Sequence, residues 1–325
     1  NLQSDITDWN FEGVSQRAYD QWNKALSGIQ VEGTEKDKVL FYTSLYHTMI
    51  DPRCFSDVDG AYQGADGKVH YTDNFIYRTI FSGWDVFRSQ FPLQTIINPR
   101  MVNDEINSLI QMAELSGREY FPRWEFLNSY SGCMIGNPAV SVVADAYNKG
   151  IRNYDVDKAI EYSVNSVETF SNNADGYTPG SLSKTLEYAY TDWCVSTLLH
   201  AKGETERAKA FEEKSQSYHS VWCDSVKWFR TRLEGGGWLP WKGRNVHEQG
   251  CVESNNYQQG WFVPHDVEGL IKLMGKDYFE QELIAFFEGA DERFMWGDYY
   301  NHPNEPDHQV PFMLNYTSKP WLTQY

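Results

Sequence analysis

The sequence predicts a mainly α chain folded as a toroid-like (α/α)6 barrel of helical hairpins, with one small β-hairpin inserted near its start. Three observations carry this reading. Apolar residues recur at helical spacing in segment after segment. The helices are joined by alternately short and long connections, and no repeat of fixed length recurs, which favours a toroid over a solenoid of helical repeats. About ten helical segments are expected, near 14–28, 36–50, 84–95, 102–116, 139–149, 155–171, 185–202, 204–220, 264–275 and 277–290. A toroid of six hairpins uses about twelve, so the single domain spanning 1–325 is expected to be incomplete at its C-terminus.

Each element has its own signal. Val39, Tyr42, Tyr46 and Met49 make one apolar stripe, and Val102, Ile106, Leu109, Ile110 and Ala113 make a second. Ala65-Asp66-Gly67 supplies turn chemistry between DGAYQG and KVHY, which places the hairpin within 57–71. Further stripes run through Val156, Ile160, Val164 and Val167, then through Leu186, Ala189, Tyr190, Trp193 and Thr197, and finally through Phe279, Leu283, Phe286, Phe287 and Ala290. Punctuation agrees: Ser183 precedes one helix and Gly203 follows it, while Pro264 opens another that Gly275 closes. Two stretches, 51–83 and 234–261, are long and irregular, which in a compact domain points to function or disorder. The Trp and Tyr residues of the second argue against disorder.

Composition narrows the function. The 325 residues carry 45 acidic and 28 basic side chains, a net charge of -17, and no basic stripe, so nucleic acid and anionic membranes are poor partners. Neutral or cationic ligands and metal ions remain. No apolar stretch is long enough to span a membrane, and the start NLQSDITDW lacks the layout of a signal peptide. Cys54, Cys133, Cys194, Cys223 and Cys251 are widely spaced and form no CxxC pair, so buried thiols are expected rather than a disulfide scaffold or a zinc site.

Four groups of residues can carry chemistry. Trp84, Asp85 and Arg88 sit together in SGWDVFRS, where an indole face and a carboxylate suit a sugar, although an N-terminal Asp and a structural Trp would read the same way. Glu253 lies in the aromatic-rich stretch CVESNNYQQGWFVPHD, as a general acid if partly desolvated or else as an ordinary solvated carboxylate. His265 and Asp266 form either a ligand-facing pair or a first helical turn. Asn304, Glu305, Asp307 and His308 fall in NEPDHQ, the densest oxygen-ligand cluster, which suits calcium better than zinc. Asp57-Val58-Asp59-Gly60 begins like a calcium loop but reads as a turn. GxSxG, GxGxxG and P-loop motifs are absent.

Taken together, FYTSLYHTMIDPRCFSDVDGAYQG, IFSGWDVFRSQFPL, GNPAVSVVADAYNKGI, LEYAYTDWCVSTLL, the spacing from Glu253 to VPHDVEGLI, and NEPDHQVPFMLNYTSKPW resemble successive blocks of glycoside hydrolase family 92. The resemblance spans nearly the whole chain in order. It implies a calcium-dependent, inverting exo-α-mannosidase acting on mannose-containing oligosaccharides in the periplasm or outside the cell. It places Glu253 as the general acid, Trp84 and Asp85 in the mannose pocket, Glu305 near both sugar and calcium, and the His308 carbonyl on the calcium; Arg88, His265, Asp266 and Asn304 are further candidates for substrate contact. It further implies an N-terminal β-sandwich and a later segment with an Asp pair that supplies the general base, both expected to lie in remaining segments of the same protein. Pro138 and Asn304 stand where some relatives, among them those specific for α-1,2 linkages, carry His, which leaves α-1,3 or another linkage open. A carbohydrate-binding chain without turnover and another α/α-toroid glycosidase are the competing readings.

Overall fold

Local capping chemistry sets the helix boundaries in the computed structural model, which describes residues 2–6, 8–170, 175–291, 293 and 296–325. After a single turn, α1 (Leu2–Asp5), come α2 (Phe11–Leu26) and α3 (Glu35–His47). Asn10 caps the first of these and a Thr34–Asp37 capping box opens the second. The irregular region that follows holds β1 (Arg53–Cys54), β2 (Ala61–Gln63), β3 (Val69–Tyr71) and β4 (Arg78–Thr79). The expected hairpin is β2–β3, antiparallel with Ala61 opposite Tyr71, and Gly67 takes the positive φ its turn requires.

The predicted helix 84–95 is broken into α4 (Gly83–Val86) and α5 (Gln90–Ile97). Arg88 explains the break: its Nε donates to the Trp84 carbonyl at 3.0 Å, taking an acceptor that a continuing helix would give to a backbone N–H. Gly83 is packed so closely that a Cβ would lie 2.4 Å from the Arg123 carbonyl oxygen. Then follow α6 (Pro99–Leu115), β5 (Glu125–Phe126), β6 (Ser129–Tyr130), α7 (Pro138–Asn148), α8 (Val156–Phe170), α9 (Leu182–Ala201) and α10 (Thr205–Ser215). Pro99 and Pro138 each occupy a first helical turn, where a missing N–H costs nothing. The last residue of the expected helix 155–171, Ser171, lies outside the described residues. Ser181, not Ser183, caps α9, because Ser183 is buried and donates to Gln259 at 2.7 Å. The expected helix 204–220 tightens after Ser215 into a 3-10 segment, Gln216–Val221.

Beyond it lie β7 (Trp222–Cys223), β8 (Trp228–Phe229), α11 (Asn256–Gln259), α12 (Val267–Met274), α13 (Lys276–Glu288) and α14 (Val310–Met313). Sequential helices pack on one another, α5 on α6, α7 on α8 and α9, α9 on α10, and α12 on α13, so the chain is a helical toroid with a small β insertion. The core is continuous from Phe81 through Val140, Leu186 and Trp228 to Leu314. The stretch 234–261 is irregular yet pinned by its aromatics: Trp228 lies 5.1 Å from both Tyr257 and Trp261, ring to ring, and Arg244 sits 4.0 Å above Tyr257. Each such buried ring stabilises the loop by roughly 1.5–3 kcal/mol.

Two expectations need correction. Cys54, on the short β1 strand, and Cys133, in a loop, are exposed because neither lies in the core, whereas Cys194 and Cys223 are buried; all five are free thiols. The apolar stripe of α3 is partly open, with Val39 and Tyr46 exposed, because α2 covers only one side of it.

Candidate active site

Glu253 projects from a loop bounded by two anchored ends. On the upstream side, the Val252 N–H donates to Ser183 Oγ at 2.9 Å; downstream, Asn255 and Gln258 form a capping box that starts α11. Between these anchors Glu253 takes a left-handed backbone with φ of 53°, a conformation that costs a glutamate roughly 1 kcal/mol or more. Its side chain is exposed, and its carbonyl accepts a 2.9 Å hydrogen bond from the buried Asn304 amide. That bond ties the Glu253 loop to the segment carrying Glu305.

Trp84 and Asp85 on the short α4 turn, and Arg88 just beyond it, point different ways. Trp84 is fully buried, and its indole N–H donates to Glu187 Oε1 at 3.1 Å. No ring face is left for a sugar to stack on, which corrects that part of the expectation. Arg88 Nη2 donates to the same oxygen at 2.7 Å, with the guanidinium lodged among the rings of Trp84, Phe87 and Phe262. Asp85 accepts from the Ser82 hydroxyl, which itself accepts the Trp124 indole N–H at 2.5 Å. Glu187, buried on α9, was not distinguished in the sequence because it sits one residue from the apolar stripe begun by Leu186. Burial raises its carboxyl, and the charge and hydrogen bond of Arg88 together with the Trp84 N–H pull it down. The net direction is upward, with burial the largest cause, and the 2.7 Å contact pairs the Glu187 carboxyl with the Arg88 guanidinium.

The third element is the turn Glu305–Asp307, closed by His308. Asp307 is buried, accepts the Asn301 N–H at 2.9 Å, and has its carboxyl pushed well up by burial. Glu305 is also raised, first by burial and then by the charges of Asp85 and Glu253, while Arg88 pulls it down. Those mutual effects put Asp85, Glu253, Glu305 and Arg88 around one space. Burial lowers His308, whose Nε2 donates to the His302 carbonyl at 3.1 Å.

This turn and the residues just before it also hold oxygens that lack partners. Asn301 Oδ1, Asn304 Oδ1 and Asp307 Oδ1 are buried without a hydrogen bond. Among the described residues no trio of His, Cys, Asp or Glu is gathered for a metal. A hard cation, however, takes amide and carbonyl oxygens alongside carboxylates, and orphaned oxygens of that kind next to Glu305 fit calcium.

His265 and Asp266 are not brought to this space. His265 Nε2 bonds the Ser215 carbonyl at 3.0 Å amid the rings of Tyr190, Trp193 and Tyr218, and burial lowers its pKa to about 4. Asp266 caps α12 through the Gly269 N–H and accepts the Tyr218 hydroxyl, each at 2.8 Å. Asp266 is thus the N-cap of α12 with both oxygens on structural partners, and His265, just before it, is held through Nε2 while its buried Nδ1 has no partner.

The chain matches the model of the glycosyl hydrolase family 92 catalytic domain over residues 1–325. Its fold is similar to the GH92 inverting mannosidase BT2199 of Bacteroides thetaiotaomicron VPI-5482, with a TM-score of 0.92 and 28% identity over 100% of this chain and 49% of that one. It is also similar to the GH92 α-mannosidase BT3965 of Bacteroides thetaiotaomicron, with a TM-score of 0.90 and 30% identity over 97% of this chain and 44% of that one. BT3965 has also been solved in complex with mannoimidazole. A protein named as an uncharacterized secreted glycosidase of Arthroderma benhamiae is 24% identical over 99% of this chain and 43% of its own length. The chain thus spans about half the length of the relatives it matches. Among its described residues no helix is long and apolar enough to cross a membrane.

Proposed function

Because the chain belongs to glycosyl hydrolase family 92, we propose that it forms part of an exo-α-mannosidase that removes terminal α-linked mannose from oligosaccharides with inversion, using Glu253 as general acid. The observation that carries this reading is the Glu253 loop: an exposed carboxyl on a strained, left-handed residue, tethered by Asn304 to the turn that holds Glu305. Strain at one exposed carboxylate, maintained by anchors on both sides, is what a positioned proton donor needs. The relatives' names, an inverting mannosidase and a mannosidase bound to mannoimidazole, supply the substrate class and stereochemistry.

Glu253 gives its proton to the glycosidic oxygen as the bond to the leaving group lengthens. Asp85 and Glu305, set around the same space, accept hydrogen bonds from sugar hydroxyls and favour the positive charge that develops at the anomeric centre. Arg88 serves from beneath, as a buried charge rather than a stacking partner. Calcium, held by Glu305, the His308 carbonyl and the orphaned oxygens of Asn301, Asn304 and Asp307, would supply a grip on vicinal hydroxyls that favours a distorted ring. The water-activating base is assigned to the Asp pair implied for a later segment of the longer polypeptide. Secretion follows the name of the Arthroderma relative.

The test uses the natural full-length polypeptide on mannosyl oligosaccharides, with proton NMR of the first sugar released. The β-anomer is expected; initial α-mannose overturns inversion, and no mannose at all overturns the assignment. Glu253→Gln should lower the rate on natural linkages by about 10²–10⁴-fold, with a much smaller loss on dinitrophenyl mannoside, whose leaving group needs no proton. Equal losses on both substrates would remove Glu253 from the acid role.

A further inference from the structure

Glu187 lies outside the groups assigned above, yet it determines what charge the site sees from below. Arg88 is almost fully buried and holds a positive charge beside a cluster whose work is to attract cations. It lines a cavity of about 420 Å³ together with Gln309, the neighbour of His308, and its charge reaches Glu305, Asp307 and His308. Its Nη1 is buried with no partner, and three aromatic rings prevent it from turning away. Left alone, this cation would repel a divalent ion above it through a poorly screened interior. Glu187 removes that field: its Oε1 is 2.7 Å from Nη2, and the Trp84 N–H on the same oxygen fixes its rotamer.

We propose that Glu187 is the counter-charge that lets Arg88 brace the α4 turn without weakening the site's hold on a divalent cation, which makes it a positioning residue for the site's electrostatics. This rests on the cation-assisted reading above. A plain structural clamp and a counter-charge differ in sign. If the pair only clamps, removing either half loosens the site and weakens the cation alike. If Glu187 is a counter-charge, its loss exposes a full positive charge, whereas loss of Arg88 removes a repulsion.

The experiment is calorimetric titration of Ca²⁺ into chelator-stripped full-length polypeptide at pH 7. Wild type, Glu187→Gln, Arg88→Met and the double variant are compared, each checked for cooperative melting. Glu187→Gln should weaken Ca²⁺ by about tenfold or more, Arg88→Met should leave it equal or tighter, and the double variant should return to within about threefold of wild type. The double variant buries no lone charge, so it stays informative if Glu187→Gln fails to fold. Equal weakening by both single variants, an unchanged Glu187→Gln, or a double variant as weak as Glu187→Gln overturns the proposal. A wild type that binds no Ca²⁺ overturns the cation-assisted reading itself, a result distinct from these.

Discussion

Asp85 and Asp266 pose the same problem at the scale of a residue: each opens a helix, next to an aromatic or a histidine, in a motif that suits a ligand. Their surroundings separate them. Asp266 spends both oxygens on Gly269 N–H and Tyr218 O–H, while the charge of Asp85 reaches Glu305. Asp266→Ala should therefore cost roughly 0.5–2 kcal/mol of stability as a lost cap, and leave mannose release per folded molecule unchanged. Urea melts paired with rates normalised to folded protein check both halves, and a collapsed rate in a folded variant would return Asp266 to the site. Sequence spacing could not make this distinction, because both aspartates satisfy the same local rule and differ only in what lies across the fold. Glu187 shows the converse. A glutamate beside an apolar helical stripe reads as surface, and only its two partners 99 and 103 residues away reveal that it is buried. Glu253 and Glu305 stand out in the sequence because each sits in a loop dense with polar and aromatic residues, where a carboxylate has few structural reasons to be.

At the scale of an element, α6 carries its apolar stripe as the spacing predicts, but its buried polar residues do the docking. Asp104 accepts the Ile76 N–H at 3.2 Å and Ser108 accepts the Arg78 N–H at 2.9 Å, which fastens the β insertion to the helix. Glu105, between them, has an oxygen with no partner, and burial, followed by the nearby charge of Glu125, raises its pKa to about 8. The folded chain thus keeps a proton that the unfolded chain releases above about pH 4.3. Stability from this group is greatest below that pH, falls by about 1.4 kcal/mol per unit as pH rises, and levels off near 8. Glu105→Gln keeps the neutral shape without the titration, so its advantage over wild type should grow from pH 5 to pH 8. Urea midpoints at the two pH values measure that difference; a constant gap would show that Glu105 is charged in the folded state. The helix boundaries fail in an equally local way: α4 and α5 part where one arginine side chain takes a backbone carbonyl, and the same guanidinium is held across the fold by Glu187.

For the whole molecule, the net charge of -17 raises the question of whether a divalent cation would act at one site or merely screen a crowded acidic surface. The two effects differ in magnitude and selectivity. Screening depends on ionic strength and is shared by any salt, since exposed charges farther apart than about 8–10 Å hardly interact in physiological salt. A site built on Asn301, Asn304, Glu305 and Asp307 binds only the folded chain, and at a hundredfold excess over its dissociation constant it would add about 2.7 kcal/mol. For a chain of this size that is a rise of a few degrees in the melting midpoint. Calcium tolerates a loose mixture of amide, carbonyl and carboxylate oxygens, whereas magnesium demands near-octahedral geometry and parts with its water reluctantly. The expected result at constant ionic strength is therefore that Ca²⁺ raises the midpoint of chelator-stripped protein, that Mg²⁺ at the same concentration raises it much less, and that Asn304→Ala abolishes the difference. Equal shifts with Ca²⁺, Mg²⁺ and matched NaCl would assign the whole effect to the surface and leave the orphaned oxygens of that turn without a cation.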